Sequence, residues 1–163
     1  KNHQQSLFAC NSIIDLFPIS FEKSTLDSLI SFVEQIDQSW IFTPSQGSIR
    51  SIVNTSSFQI IENDELRNLV ITWIDVVKDY QDEELIARGT LIDTFYPYLV
   101  ENFDYDFNLY DPRTDLTKLN SFKFENLIKD RAFDLKIILE GEELKILQSA
   151  IDRIIELTES ELK

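Results

Sequence analysis

The stretch Asn63–Phe103, NDELRNLVITWIDVVKDYQDEELIARGTLIDTFYPYLVENF, decides how the rest of the chain is read. Asn63 is suited to cap a helix, and Asp64 and Glu65 sit where a first turn favours negative charge. Leu66, Val70, Trp73, Val77 and Tyr80 then recur at spacings of four and three, and Ala87 and Leu91 resume the pattern. That spacing places the large side chains on one face of a long helix. Gly89 weakens the helix. Pro97 removes an amide donor and crowds the carbonyl of Asp93, which predicts a kink or a stop there.

Working outward, residues 1–17 read as a helix with Leu7, Cys10, Ile14 and Phe17 on one stripe, ended by Pro18. Ser20–Ser24 is a polar link, after which Ser24 or Thr25 caps a second helix. Leu26, Leu29, Ile30, Val33, Ile36 and Trp40 form its inner face. Thr43-Pro44-Ser45-Gln46 has the form of a capping box with proline at the first helical position, two independent reasons to start a helix. That helix is short, with Ile49, Ile52 and Val53 inward, and dissolves in Asn54–Ser57. Phe58–Ile61 reads as a brief extended run. Beyond Pro97, residues 102–120 are the least regular part, with aromatics alternating with acids and Asn over Asp104–Leu109, a period of two that suits an extended segment. Asn120 or Ser121 then caps a last long helix to about Leu162. Its stripe runs from Phe124, Leu127 and Ile128 to Ile151 and Ile154, and Gly141 is a place where it could divide in two.

The whole reads as a single domain over residues 1–163, long enough and apolar enough (43%) to bury a core. Three glycines and four prolines are too few for a sandwich with a turn every ten or so residues. The expectation is an all-α bundle of about five helices. Two of them, near 63–96 and 121–162, are long and antiparallel, and an irregular excursion lies near 102–120.

The net charge of −14 opposes binding to nucleic acid or to an anionic membrane surface. Between Glu62 and Asp106 twelve acids face only Arg67, Lys78 and Arg88. This is read as a solvated helix face, with a docking face for a basic partner as the functional alternative. Cys10 is the only cysteine, so no internal disulfide can form, and its place on a stripe makes it a small core residue. No run of eighteen apolar residues is present. The stretch contains no methionine, and an upstream segment is expected.

Few catalytic constellations can be assembled. His3 is the single histidine and is expected to be a frayed, solvent-exposed residue, which leaves no base for a triad, no ligand pairs for a di-iron bundle and no zinc set. Gly47, Gly89 and Gly141 stand alone, so there is no phosphate loop. Glu84 and Arg88 are read as an exposed i,i+4 pair. Arg67 and Arg131 each follow an apolar position; either could pair with acids inside a bundle, though a snorkelling side chain is the plainer reading. Trp40 and Trp73 could line a pocket and are read as core anchors. The one sharp candidate is a metal loop: counting from Asp104, oxygen side chains fall at positions one, three, five and twelve as Asp104, Asp106, Asn108 and Asp115. Leu109 stands where that loop needs glycine, Asp115 where it needs glutamate, and Pro112 occupies position nine.

Trp40-Ile41-Phe42-Thr43-Pro44-Ser45-Gln46-Gly47, then Asn63–Leu69, Trp73 and Asp79-Tyr80, and later Phe124–Ile128 with a terminal Glu/Leu/Lys-rich helix, follow an order that resembles a family of uncharacterised proteins, mostly from Bacteroidota, known only as a domain of unknown function. The resemblance covers nearly the whole chain through dispersed phrases. It implies an upstream basic segment and one transmembrane helix, which places this domain in the periplasm on a membrane anchor. It carries no catalytic or binding residue to any position here. The expected function is a non-enzymatic domain that binds another protein or itself and needs no cofactor. A ligand- or ion-binding sensor using the Asp104–Asp115 loop or a pocket near Trp73 is the alternative, and a hydrolase built on converging carboxylates is a third.

Overall fold

The computed structural model describes residues 2–54 and 59–161, and among these the chain is all-α. Its α-helices are α1 (Asn2–Asp15), α2 (Lys23–Ile36), α3 (Gly47–Asn54), α4 (Asp64–Thr90), α5 (Tyr96–Asn102), α6 (Phe122–Glu140) and α7 (Glu142–Glu161). A π-helical turn, Leu91–Phe95, joins α4 to α5, so one helical run extends from Asp64 to Asn102. Gly141 divides the last run into α6 and α7. A 3-10 turn, Leu116–Asn120, precedes α6.

Although the sequence shows no domain boundary, the chain packs as two compact units. One comprises residues 1–40 and 84–139, the other 41–83 and 140–163. Each is discontinuous in sequence because α4 contributes its first part to the second unit and its last part to the first.

In the first unit the core follows most of the expected stripes, but α1 is turned by one position, burying Ala9, Cys10 and Ile13 while Leu7, Ile14 and Phe17 are half-buried, and Phe95 joins it. Ile13, Leu29, Ile36, Leu91, Phe95, Phe124, Ile128 and Leu135 are all but inaccessible, and each contributes on the order of 1.5–3 kcal/mol by leaving water. Cys10 lies among them, as its stripe predicts. An aromatic cluster adds orientation: Tyr98 stacks on Phe124 at 6.1 Å, and Phe103 meets Phe107 edge-on at 5.0 Å. Asn120 fastens the segment after Pro18, accepting from the Ile19 amide (2.6 Å) and donating to its carbonyl (3.0 Å). Ser121 caps α6 through the Phe124 amide (3.2 Å).

In the second unit Leu66 and Val70 of α4 pack on Leu157 of α7, with α3 contributing Ile49, Ile52 and Val53. Asn63 caps α4 as expected, its Oδ1 accepting from the Leu66 amide (3.0 Å). The Asn63 amide reaches Glu161 (2.9 Å), and Arg153 grips Glu65 with two bonds of 2.6 Å, so α4 and α7 run antiparallel. Trp73 is buried here, as read.

Several local expectations are corrected. The Thr43–Gln46 box does not open α3, which begins at Gly47 with the Arg50 amide bonded to the Gln46 carbonyl (2.9 Å). Pro44 biases Thr43 towards extended backbone, and Phe42 is pinned by the Gln81 amide group (2.6 Å) and the Tyr80 ring. Trp40 is not a core anchor: it lies beyond the end of α2 and is 46% exposed. α2 starts at Lys23, ahead of Ser24 and Thr25, with Glu22 as its uncapped boundary. Thr55–Phe58 lie outside the described residues, and Gln59–Ile60 form a 3-10 turn instead of extending. Pro97 does not stop the long helix. The turn before it widens, the Tyr96 amide bonding to the Leu91 carbonyl five residues back, and Pro97 falls in the first turn of α5, where a missing N–H costs little.

Candidate functional site

Three arrangements in the first unit bring polar chemistry together. The first is buried. Position 84 falls on the inner stripe between Tyr80 and Ala87, so Glu84 is 3% exposed and is not the surface partner of Arg88. His3, on the first turn of α1, meets it through Nε2 at 2.9 Å and is itself shielded rather than frayed. On α6, Arg131 does not snorkel. It is 2% exposed, and its guanidinium donates to the Ala87 carbonyl (3.1 Å) and to the Gln38 carbonyl just past α2 (3.0 Å). Burial lowers its pKa, against the opposing pull of Cys10, Asp134, Tyr96 and Asp37, and it stays a cation. The same burial pushes the Cys10 thiol up to about 12. These groups tie the ends of α2 and α4 to α6.

The second arrangement is the predicted metal loop, to which the structure gives another task. Asp104 Oδ1 accepts from the Asp106 amide (3.1 Å), Asn108 Oδ1 from the Tyr110 amide (3.1 Å), and Asp115 Oδ1 from the Thr117 amide (3.0 Å) and hydroxyl (2.6 Å). Each folds its own turn, the local bonding that Asp and Asn favour in loops. Leu109, where a calcium loop requires glycine, is buried in the core. Among the described residues no three His, Cys, Asp or Glu side chains form a group that could hold a metal ion.

The third is a groove of about 470 Å³ that the sequence did not announce. One wall is the end of α2, with Val33, Glu34 and the Asp37 that follows it; another is α5, with Tyr96, Leu99 and Val100; the third is the turn carrying Tyr105, Asp106 and Phe107. That turn is held from below. Phe107 has a left-handed backbone (φ 52°), its amide bonds to the Asp104 carbonyl (2.8 Å), and its ring is buried against Phe103. Burial of two phenylalanines outweighs the roughly 1 kcal/mol that a non-glycine residue loses in that conformation. The result lifts Tyr105 to 88% exposure at the rim, opposite Val100 at 60%. Tyr96 donates to the Asp37 carbonyl (3.2 Å); burial, reinforced by the Asp37 side chain beside it, raises its pKa to about 12, so the phenol is neutral.

The groove's charged side chains are all acidic: Glu34, Asp37 and Asp106. Asp37 Oδ1 is buried with no hydrogen-bond partner. Asp27, Asp64, Glu65, Asp111 and Glu125 are paired with lysine or arginine, but these three, like most acids among the described residues, take part in no ion pair. Trp73, near which a pocket is the alternative expectation, is buried, and its indole N–H has no partner among the described residues. No family model, curated protein or solved structure matches the chain.

Proposed function

We propose that this chain is a non-enzymatic recognition domain that binds a protein partner at the groove between α2, α5 and the Tyr105 turn. The observation that supports it is the composition of that groove: apolar and aromatic walls, an exposed tyrosine at the rim and acids left without counter-charges. Aromatic side chains flanked by polar groups are what protein interfaces concentrate. The family resemblance adds the setting, an envelope protein held on the membrane with this domain in the periplasm. The tether in this reading lies outside the stretch, since no helix among the described residues is long and apolar enough to cross a membrane.

The test is crosslinking of the full-length protein in envelope membranes, comparing the natural sequence with Tyr105→Ala combined with Val100→Asp. Both side chains are exposed, so the fold survives. A crosslinked protein that disappears with the double substitution supports the reading; one captured equally by both chains places the interface elsewhere.

A further inference from the structure

We infer that the groove receives a lysine or arginine side chain presented by the partner protein, its cation lying among Glu34, Asp37 and Asp106 and against the Tyr105 and Tyr96 rings. This rests on the reading of the groove as the docking site and names what enters it. A cluster of acids alone would say little in a chain of charge −14. Here three features coincide at one place.

The first is shape. The groove holds about 470 Å³, within the range of sites that bury a side chain or a small molecule. The second is charge left unanswered: none of its three carboxylates is in an ion pair among the described residues, and no lysine, arginine or histidine lines it. Arg131 lies behind Asp37 and offsets part of that charge, so Glu34 and Asp106, both exposed, carry most of the attraction. The third is the pair of tyrosines. A cation over a neutral aromatic face is attracted by the ring, and Tyr96 keeps its proton far above neutral pH. Val33, Leu99 and Val100 supply the apolar surface that the methylene stem of a long basic side chain covers while its head stays wet.

A protein suits the groove better than a free amine because the rim is apolar beyond what one cation needs. Val100 and Tyr105 stand open to solvent on its edge, ready for the residues that flank the basic side chain. The net negative charge also steers a basic partner towards the domain.

The experiment follows the amide resonances of the isotope-labelled chain during titration with three probes. These are a short synthetic peptide with lysines among apolar residues, the same peptide with every lysine acetylated, and butylamine. The expected result is movement confined to Glu34, Asp37, Val100, Tyr105 and Asp106 with the lysine peptide, at least tenfold weaker with the acetylated one and with butylamine. Tyr105→Ala and Glu34→Lys, both at exposed positions, each weaken the peptide at least tenfold. Equal binding of the acetylated peptide overturns the cation while leaving the groove as the interface. Butylamine binding as tightly as the peptide overturns the protein source in favour of a free amine. Movements scattered over the acidic surface and indifferent to Tyr105→Ala overturn the site altogether. If the lysine peptide fails while envelope crosslinking still depends on Tyr105, the proposed function stands and this inference falls; if crosslinking ignores Tyr105, both fall.

Discussion

His3 and Glu84 lie 81 residues apart in the chain, yet His3 Nε2 stands 2.9 Å from Glu84 Oε1 with both side chains shielded from water. The pair fastens the beginning of α1 to the inner face of the long helix. Removing one partner leaves the other buried without it, which costs more than the bond itself contributes. Glu84→Ala should lower stability by about 1–3 kcal/mol in urea unfolding. Glu84→Gln, which can still bond to the ring, should lose less. Equal losses in the two variants would show that the bond is not what matters.

Arg131 makes a second prediction. Its two carbonyl partners, Ala87 in α4 and Gln38 just past α2, lie far apart in the chain, and a planar fork can hold both where an ammonium cannot. Arg131→Lys should lose about 1–3 kcal/mol, and Arg131→Ala more, since it also opens a cavity. The ordering Ala worse than Lys, read from unfolding midpoints, is the check.

Cys10 reports on the first unit without perturbing it. Its buried thiol, raised from 9.0 to about 12, stays protonated at pH 8 and should resist alkylation. Labelling should accelerate in urea in step with the loss of helical signal. Because the folded value lies above the unfolded one, the contribution of the protonated thiol is complete below pH 9 and disappears as pH climbs towards 12. Rapid labelling without denaturant would contradict the burial.

Asp111 works in the opposite direction. Bonds from the Arg113 side chain and amide hold its carboxyl down at about 2, against 3.8 ordinarily. The clamp therefore contributes fully above pH 3.8 and is lost as pH falls through about 2. A carboxyl titration by carbon NMR should place the midpoint near 2, and Arg113→Ala should raise it towards the ordinary value.

Calcium should leave the unfolding midpoint where excess chelator leaves it, because Asp104, Asn108 and Asp115 are committed to their own turns. A calcium-dependent rise abolished by Asp104→Ala would restore the metal loop.

The periodicity of Leu66, Val70, Trp73, Val77, Tyr80, Ala87 and Leu91 was legible because burial selects apolar side chains at helical spacing, and every one of them is buried. Glu84 occupies a stripe position between Tyr80 and Ala87, but an acid there reads as surface; a distant partner such as His3 carries no sequence signature. Arg131 hid for the same reason, its partners being backbone carbonyls that carry no sequence signature. The alternating oxygens of 104–108 were visible as spacing, yet spacing does not distinguish ligands gathered on an ion from side chains bonding to the next turn. Trp40 was misjudged by extending a helical stripe past the point where α2 stops. The groove could not be read at all, since its walls come from residues near 35, 98 and 105, brought together only by the fold.

The widened turn at Leu91–Phe95 has a consequence for the numbering of everything after it. The inner positions advance through it by four and three residues, Ala87 to Leu91 to Phe95 to Tyr98, while Thr94 is exposed. The turn thus takes up one residue more than a regular turn would, without turning the inner face away from the core. Deleting Thr94 would let the run close as a regular helix and leave Tyr96, Leu99 and Val100 facing the α2 wall, whereas deleting a residue from the regular helix just before the turn would swing them about 100° around the axis and erase the groove while leaving every one of its lining residues in the chain. The groove is in that sense written in the count of residues as much as in their identity.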